Sequence, residues 1–557
     1  MTRRIVRTIS QLSAAALFTF LVVFFIDRNF RVLPNAIHEY MPQHHPGLVV
    51  TDVTITTCSS VNLFSSCKLD KDLWHRIEKD LYLGKGWVTS AYVHIRRKKE
   101  EELVPGDQVV MDVTVGRLDP SGSAKGQADV KWEKRPAGLW IQRSSKAHAS
   151  DSKKAVTAVD VLFGDDAVDA REGWDITGLP LLLDSDASIP AAHITVRRGK
   201  HIEPARPQPR VKDSGRFKIM QLADLHLSTG TGACRDPVPD EYNGGKCMAD
   251  PRTMDFVIKL LDEEKPDLVV LSGDQVNGDT APDATSAIFK YAQPLIKRKI
   301  PYVSIFGNHD DEGALNRRGQ MALVESLPYS LSRAGPDDID GIGNYYVEVL
   351  ARGGSKHSAL TLWLLDSHSY SPDERQWQGY DWIKKNQIDW FKQTSSSLKK
   401  KHKEYSGIHM NAAFIHIPLP EYRDVEAYRL GEWREGVTAP VYNSGFRDAL
   451  VEQGVVMVSC GHDHANDYCT LSADENLNPK LWMCYGGGTG FGGYGGYDNY
   501  IRRVRFFDFD MNEGSIVTYK RLEYNETEKQ VDRQVIFQGG NLMAPSTEWA
   551  DTPPASS

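Results

Sequence analysis

Five apolar runs between residues 217 and 464 each end in a short polar cluster, and the clusters consist almost entirely of metal-ligand residue types. They are Asp224 and His226 in LADLH, Asp274 in SGDQVNG, Asn308 and His309 in FGNHDDE, His416 in FIHIPLP, and His462 and His464 in CGHDH. Singly, each has a structural explanation. An Asp after a strand often caps the next helix, Gly-Asn is common in turns, and an isolated His near a core usually needs only a hydrogen bond. Five clusters at the same topological place are different, because independent turn residues have no reason to select His so often. Asp224, His226, Asp274, Asn308, His416, His462 and His464 make seven donors, and if Asp274 bridges, two metals receive four each. Paired metals roughly 3.5–4 Å apart need a bridging anion, and neutral imidazoles suit Fe, Zn or Mn. Two carboxylates and a hydroxide leave such a centre cationic and attractive to phosphate, although the chain carries a formal net charge of -8.

The elements that must position these residues are strands alternating with helices. The strand runs are FKIMQLADLH (217–226), DLVVLSGD (267–274), YVSIFGNHD (302–310), LTLWLLDSH (360–368), AAFIHIPLP (412–420) and VVMVSCGHDH (455–464). Between them the spacing predicts helices over Pro251–Glu264, with Asp250 as N-cap and Pro251 first in the helix, and over 283–298, 382–398 and 443–453. This alternation predicts an α/β domain over 217–540 with its active residues at the carboxyl ends of strands. In an extended chain residues two apart face the same way, so His462 and His464 can both reach one centre. Before the domain, residues 46–200 read as a small β-rich accessory domain: Val50–Thr56, Trp87–Ile95, Val109–Val115 and His193–Val196 alternate as strands do. A helical insert is expected over KDLWHRIEKDLYL (71–83), a flexible loop over 144–155, a Pro-rich linker over 201–216 and a loose tail over 541–557.

A chain of 557 residues predicts about two or three domains. The acidic balance argues against nucleic acid as a partner. Residues 9–26 form an 18-residue uncharged apolar run behind Arg3, Arg4 and Arg7, long enough to span a bilayer. We expect a cytoplasmic 1–8, a transmembrane signal anchor at 9–26 and a linker at 27–45, with the body lumenal or extracellular in the secretory system; a cleaved signal peptide and secretion is the alternative. Cys58 with Cys67, Cys234 with Cys247, and Cys469 with Cys484 can each close a disulfide, leaving Cys460 free. Asn525 in YNETE is a glycosylation sequon.

In this order, D-x-H, G-D, G-N-H-D, H and G-H-x-H resemble the calcineurin-like metallophosphoesterase superfamily over about residues 217–510. The runs CRDP (234–237), GHDHANDYC (461–469) and CYGGGTGFGGYG (484–495) are similar to the fungal dosage-dependent cell-cycle-regulator phosphatases and to plant purple-acid-phosphatase-like proteins. The resemblance implies a β-sandwich core flanked by helices with a dimetal site at the strand ends. It places Asp224, His226 and His464 on one metal, Asn308, His416 and His462 on the other, and Asp274 on both. His309 would be catalytic, stabilising the phosphoryl oxygens or protonating the leaving oxygen, with Asp310 orienting it or purely structural. True purple acid phosphatases have Tyr where this chain has Asn277 and Gly where it has His226, so no purple chromophore is implied. The implied reaction is phosphomonoester hydrolysis on a phosphorylated protein or small molecule, by in-line attack of a metal-bridging hydroxide. A phosphodiesterase acting on a nucleotide or lipid headgroup ester is the alternative, and a catalytically silent membrane-tethered scaffold a third reading. The glycine-rich stretch 484–497 lacks GK[ST], which speaks against a nucleoside-triphosphate loop. We expect it at the mouth of the site with Tyr485, Phe491 or Tyr494 touching substrate, or else as simple turns.

Overall fold

The computed structural model describes residues 11–15, 17–19, 22, 47–59, 67–86, 88–104, 106–123, 131–144, 155–424, 427–495 and 499–544. Half of the expected anchor at 9–26, the 1–8 segment, the 27–45 linker, residues 145–154 of the expected loop and 545–557 of the tail lie outside them. Among the described residues no helix is long and apolar enough to cross a membrane.

The described residues from 47 to 199 form small antiparallel sheets. β1 (Leu48–Ser59) and β2 (His75–Arg76) flank β3 (Thr89–Lys99). β4 (Val109–Val115) and β5 (Trp132–Lys134) flank β6 (Leu139–Ser144), and β7 (Val156–Phe163) and β8 (Trp174–Ile176) flank β9 (Ala192–Arg198). The three share one core in which Val53, Ile55, Val93, Ile95, Val113, Ile141, Val161 and Ile194 meet. The helix expected over 71–83 does not form. Its apolar residues are drawn into pairing with β3, where Ile77 N donates to Val93 O and Leu81 N to Ala91 O. Asp80 accepts from Tyr82 N, Gly84 N and Ala91 N, which fixes a turn in place of a helical repeat.

From residue 216 two seven-stranded sheets stack. The first runs in the order β12 (Tyr302–Ile305), β11 (Leu268–Ser272), β10 (Arg216–Leu222), β20 (Arg503–Asp510), β21 (Ser515–Leu522), β22 (Val531–Gln538), β23 (Asn541–Leu542). The second runs β13 (Tyr345–Leu350), β14 (Ser358–Leu364), β15 (Met410–Phe414), β17 (Met457–Cys460), β19 (Pro479–Tyr485), β18 (Cys469–Ala473), β16 (Tyr428–Leu430). Strands β10, β11 and β12 are mutually parallel, as are β14, β15, β17 and β19. Alternation along each strand feeds two cores. Phe217, Ile219, Val270, Leu362, Phe414 and Trp482 fill the space between the sheets. On the outer face of the first sheet Met220, Leu222 and Leu271 meet α1 (Ala249–Glu264) and α2 (Ala284–Lys297) through Val257, Leu260, Ile288 and Leu295. On the outer face of the second, Trp363, Ile415 and Val458 meet α4 (Lys385–His402) and α5 (Phe446–Glu452) through Phe391, Phe446 and Leu450. Strands covered on both faces read as near-continuous apolar runs, which is how they read here.

Asp250 is not an N-cap. The helix starts at Ala249 with Met248 as N-cap, and the buried Asp250 carboxylate instead accepts from Ser228 N and pairs with Lys290 at 2.8 Å. Lys290 also pairs with Asp166 of the preceding β-rich part at 2.7 Å, while Lys79 reaches Asp283 at 3.0 Å. These ion pairs tie the accessory sheets to α2. A short helix that the spacing does not predict, α3 (Arg317–Glu325), begins where the Asn316 side chain accepts from Gly319 N.

Candidate metal centre

Each predicted donor stands just beyond the carboxyl end of a parallel strand. Asp224 and His226 follow β10, Asp274 follows β11, Asn308 follows β12, His416 follows β15, and His462 and His464 follow β17. The two sheets end on the same side, so donors from both converge. Four of these residues turn off their strands in the left-handed region: Asp224 (φ 56°), His226 (φ 48°), Asp274 (φ 54°) and His462 (φ 80°). Non-glycine residues rarely take this conformation, which costs on the order of 1–3 kcal/mol each and persists only where packing over-determines it. The packing is visible in the backbone: Asp224 N donates to Gly273 O, His226 N to Asp274 O, and Gly461 N to His416 O.

The donor atoms form two groups that share Asp274. Asp224, His226, Asp274 and His464 place a ligand atom each within 4.8 Å of one another, as do Asp274, His416 and His462. His226 Nε2 lies 3.1 Å from His464 Nε2, and His464 Nε2 lies 3.5 Å from Asp224 Oδ1. In the second group His416 Nε2 lies 3.3 Å from Asp274 Oδ2 and 3.3 Å from Asn308 Oδ1, which adds Asn308 to the set. Two of the rings are held from behind. His416 Nδ1 is 3.0 Å from Ser272 O and His464 Nδ1 is 2.8 Å from Tyr494 O. A ring whose Nδ1–H donates to a carbonyl presents Nε2 as a lone pair, the arrangement of a ligating imidazole. His462 Nε2 is buried without a hydrogen-bond partner among the described residues. These donors fit a pair of transition metals.

Electrostatics agree. Burial drives His226 down to about 3 and His462 and His464 well below the ordinary histidine value, keeping these rings neutral. Burial, with Asp274 and Asp463 nearby, pushes Asp224 well above the usual carboxylate range. Burial also opposes ionisation of Asp274, but His416 and His226 outweigh it and hold Asp274 well below that range. Burial pulls His416 down, yet the Asp274 carboxylate beside it raises it to about 9. Protein charges alone therefore put a proton where a cation would otherwise sit, between His416 and Asp274.

His309 N donates to Asp274 Oδ1 at 2.8 Å, and the His309 ring centroid is 5.2 Å from that of His226, partly open to solvent. Asp310 does not orient it. That carboxylate is buried in the turn, where it accepts from Asp274 N, Val276 N and Gly307 N. The partner of His309 is Glu312, whose Oε2 is 2.7 Å from Nδ1. Arg317 braces the same turn by donating to Gly307 O and to Asp366 Oδ1.

The glycine-rich stretch differs from its expected role at the mouth. Tyr485 is wholly buried with its hydroxyl donating to Asp463 Oδ2, and Phe491 is buried beneath the guanidinium of Arg252. Neither presents its ring to solvent. Tyr494 stacks on His464 with centroids 3.9 Å apart and rings at 6°, so it supports a donor. The glycines allow close backbone approach. Gly488 N donates to His464 O and Gly490 N to Asp224 O, and a Cβ on Gly490 would lie 1.9 Å from Leu225 O. The stretch is tied by a disulfide between Cys469 and Cys484; Cys58 with Cys67 and Cys234 with Cys247 form two more, and Cys460 is free and buried.

Sequence reasoning missed Glu312, Tyr370 and Tyr380. Tyr370 follows β14, a parallel strand whose carboxyl end points to the same side as the others, and that position was the available signal. Glu312 and Tyr380 lie in irregular chain with no periodic signature.

A fold of two stacked sheets with parallel strand ends converging on two donor groups defines a metallophosphoesterase. The chain belongs to the calcineurin-like phosphoesterase family, whose sequence model matches residues 217–466. It is 39% identical to phosphatase DCR2 of Saccharomyces cerevisiae over 403 residues, 69% of this chain and 67% of that one. It is 36% identical to the Arabidopsis thaliana protein named "Probable inactive purple acid phosphatase 29" over 356 residues, 60% of this chain and 88% of that one. A solved dimetal phosphatase from Danio rerio aligns with 57% of this chain and 98% of its own at 13% identity, with a TM-score of 0.37.

Proposed function

We propose that the chain is a metal-dependent phosphomonoesterase acting on a phosphorylated protein or small molecule. The observation that carries this reading is the convergence of two buried donor groups on the shared Asp274. Asp224, His226, His464 and Asp274 would hold one metal, and Asp274, Asn308, His416 and His462 the other, from Fe, Zn or Mn. When bound, such a pair supplies positive charge for the phosphoryl oxygens and lowers the pKa of water. The protein's own part is positional. Ser272 O and Tyr494 O fix two imidazole tautomers. Glu312 fixes the orientation of His309 through Nδ1, which leaves Nε2 to exchange a proton with the leaving oxygen. Plant relatives carry "inactive" in their names; in this chain every donor side chain that the chemistry needs is present, which favours an active enzyme.

The test is turnover of mono-aryl phosphate, phosphopeptide and bis-aryl phosphate by the metal-loaded protein, beside Asn308→Ala and His309→Ala. Release of phosphate from monoesters that falls at least about a hundredfold in Asn308→Ala is the expected result. His309→Ala should lose more on alkyl than on nitrophenyl esters, because only a poor leaving group needs the proton. Faster turnover of the bis-aryl ester would favour the phosphodiesterase reading, and no turnover of any ester, with Asn308→Ala indistinguishable from the parent, would refute hydrolysis. We also propose a membrane-anchored or secreted body in an oxidising compartment. The apolar run at 9–26 and the disulfides support this, as does the exposed turn at Asn525, which can carry a glycan.

A further inference from the structure

Beyond β14 the chain leaves the sheet through Asp366, His368 and Tyr370. Tyr370 is 49% exposed, yet its hydroxyl sits within the candidate site: Asn308 Nδ2 donates to it at 3.5 Å, and it donates to Glu312 Oε1 at 3.4 Å. Glu312 is thus shared, one oxygen on His309 and the other on Tyr370. Ten residues on, Tyr380 returns antiparallel beside Tyr370 through an isolated bridge. The two rings stack with centroids 5.5 Å apart and planes at 24°. Tyr380 in turn sets its ring perpendicular to His462, with centroids 4.3 Å apart. The loop between is braced by Trp377 and Trp382, which both pack on Tyr442. An aromatic wall therefore runs from solvent to Asn308 and His462.

We propose that Tyr370 and Tyr380 form a shelf for the leaving group and bias the enzyme towards phosphate esters of an aromatic alcohol. The proposal rests on the phosphomonoesterase reading. In an aryl phosphate the ring is one oxygen away from phosphorus, so a phosphoryl group at the donors sets its ring against the wall. An alkyl leaving group reaches the same place without a π face. A solvent-exposed tyrosine ring gains from offset stacking that replaces water, and one such pair contributes about a two- to tenfold preference. The Tyr370 hydroxyl, held between Glu312 and Asn308, keeps its ring in the wall.

The experiment separates this from the hydrolytic reading by using inert ligands. Benzylphosphonate and ethylphosphonate, in which CH2 replaces the ester oxygen, are titrated calorimetrically into metal-loaded, full-length protein, with Tyr370→Leu and Tyr370→Phe alongside. We expect benzylphosphonate to bind about two- to tenfold more tightly than ethylphosphonate, Tyr370→Leu to remove the difference, and Tyr370→Phe to retain it. Equal binding of the two ligands by the parent protein, or an unchanged ratio in Tyr370→Leu, overturns the shelf. Turnover of phenyl phosphate by the same parent protein reports separately on hydrolysis: equal phosphonate binding with turnover intact sinks only the shelf, whereas no turnover sinks the phosphatase reading. A phosphotyrosyl peptide competing better than phenyl phosphate assigns the aromatic group to protein; equal competition assigns it to a small molecule.

Discussion

Gly307 sits in the turn between β12 and Asn308, and its missing side chain is what lets Asp274 occupy its place. A Cβ there would lie 2.1 Å from Asp274 Oδ1 and 2.5 Å from Asp274 N, whereas real Cβ contacts essentially never fall below 3.0 Å. In Gly307→Ala something must retreat by roughly 1 Å, and displacement of this size at a reacting centre costs up to about a hundredfold in rate. Gly307 has no slack of its own. Its N–H donates to Asp310 Oδ2 at 2.6 Å, and Arg317 grips its carbonyl at 2.6 Å. The movement therefore falls on the carboxylate assigned to both metals. We expect kcat/KM on a phosphate monoester to fall about a hundredfold, about 2.7 kcal/mol of transition-state stabilisation, and bound metal per chain to drop below the parent value. The assay is elemental analysis of gel-filtered protein beside steady-state kinetics. Circular dichroism checks the fold, and Gly354→Ala, whose Cβ meets nothing within 4 Å, serves as control. Full metal content together with activity within about threefold of the parent would refute the role given to Asp274.

Asp467 is wholly buried and paired with Arg503 and Lys520; Asp467→Asn leaves the buried Arg503 without this counter-ion and Lys520 with Asp532, and should cost about 3–5 kcal/mol in denaturant unfolding, an outcome that a change below about 1 kcal/mol would contradict. The His402 ring 3.5 Å away and a hydrogen bond from Lys401 hold Glu348 down to about 2 from 4.5 against its partial burial. The stability this group lends is complete above its unfolded value and is lost as pH falls from 4.5 to about 2. Glu348→Gln should flatten the pH dependence of stability in that window, and an unaltered slope there would count against the pairing. With His416 raised to about 9, metal uptake below that pH must expel its proton. Apparent metal affinity should therefore rise about tenfold per pH unit towards 9, as measured by calorimetry in two buffers of different ionisation enthalpy; a flat affinity between pH 6 and 8 would rule the displaced proton out.

The strand-end positions of the donors were legible because each follows an apolar run too continuous for a half-exposed strand, and such runs occur where a sheet is covered on both faces. Their partition between sheets was not. Nothing in the linear text tells that β10 to β12 lie in one sheet and β15 and β17 in the other, since that depends on the antiparallel pairing of β10 with β20, almost three hundred positions away. Residues 71–83 failed for a related reason. Leu73, Ile77 and Leu81 suit a helix by spacing, but backbone pairing with β3 and the turn held by Asp80 capture them instead. Composition misled in the glycine-rich stretch. Glycines for a flexible loop and glycines for close approach read alike, and only the 1.9 Å clearance at Gly490 tells them apart. Glu312 was invisible because an exposed acid three residues from a histidine is ordinary; its meaning lies in the Tyr370 contact, made across 58 positions.

The candidate centre collects several costs in one place: four non-glycine residues in the left-handed region, carboxylates Asp224 and Asp274 buried near each other, and His462 with a buried nitrogen that has no partner among the described residues. Such costs persist only where the surroundings have no cheaper arrangement. The surroundings here are the inter-sheet core, the ladder from Gly486 to Gly490, and the Arg317 and Asp310 contacts that fix the Gly307 turn. Every one of these lies behind the donors, and none competes with a cation for their lone pairs. A cation with two or more charges relieves the carboxylate repulsion, replaces the His416 proton and satisfies His462 at once. The arrangement that is worst for the protein's own electrostatics is thus the one best prepared for metal, and the scaffold's rigidity is what keeps it from relaxing into ordinary ion pairs.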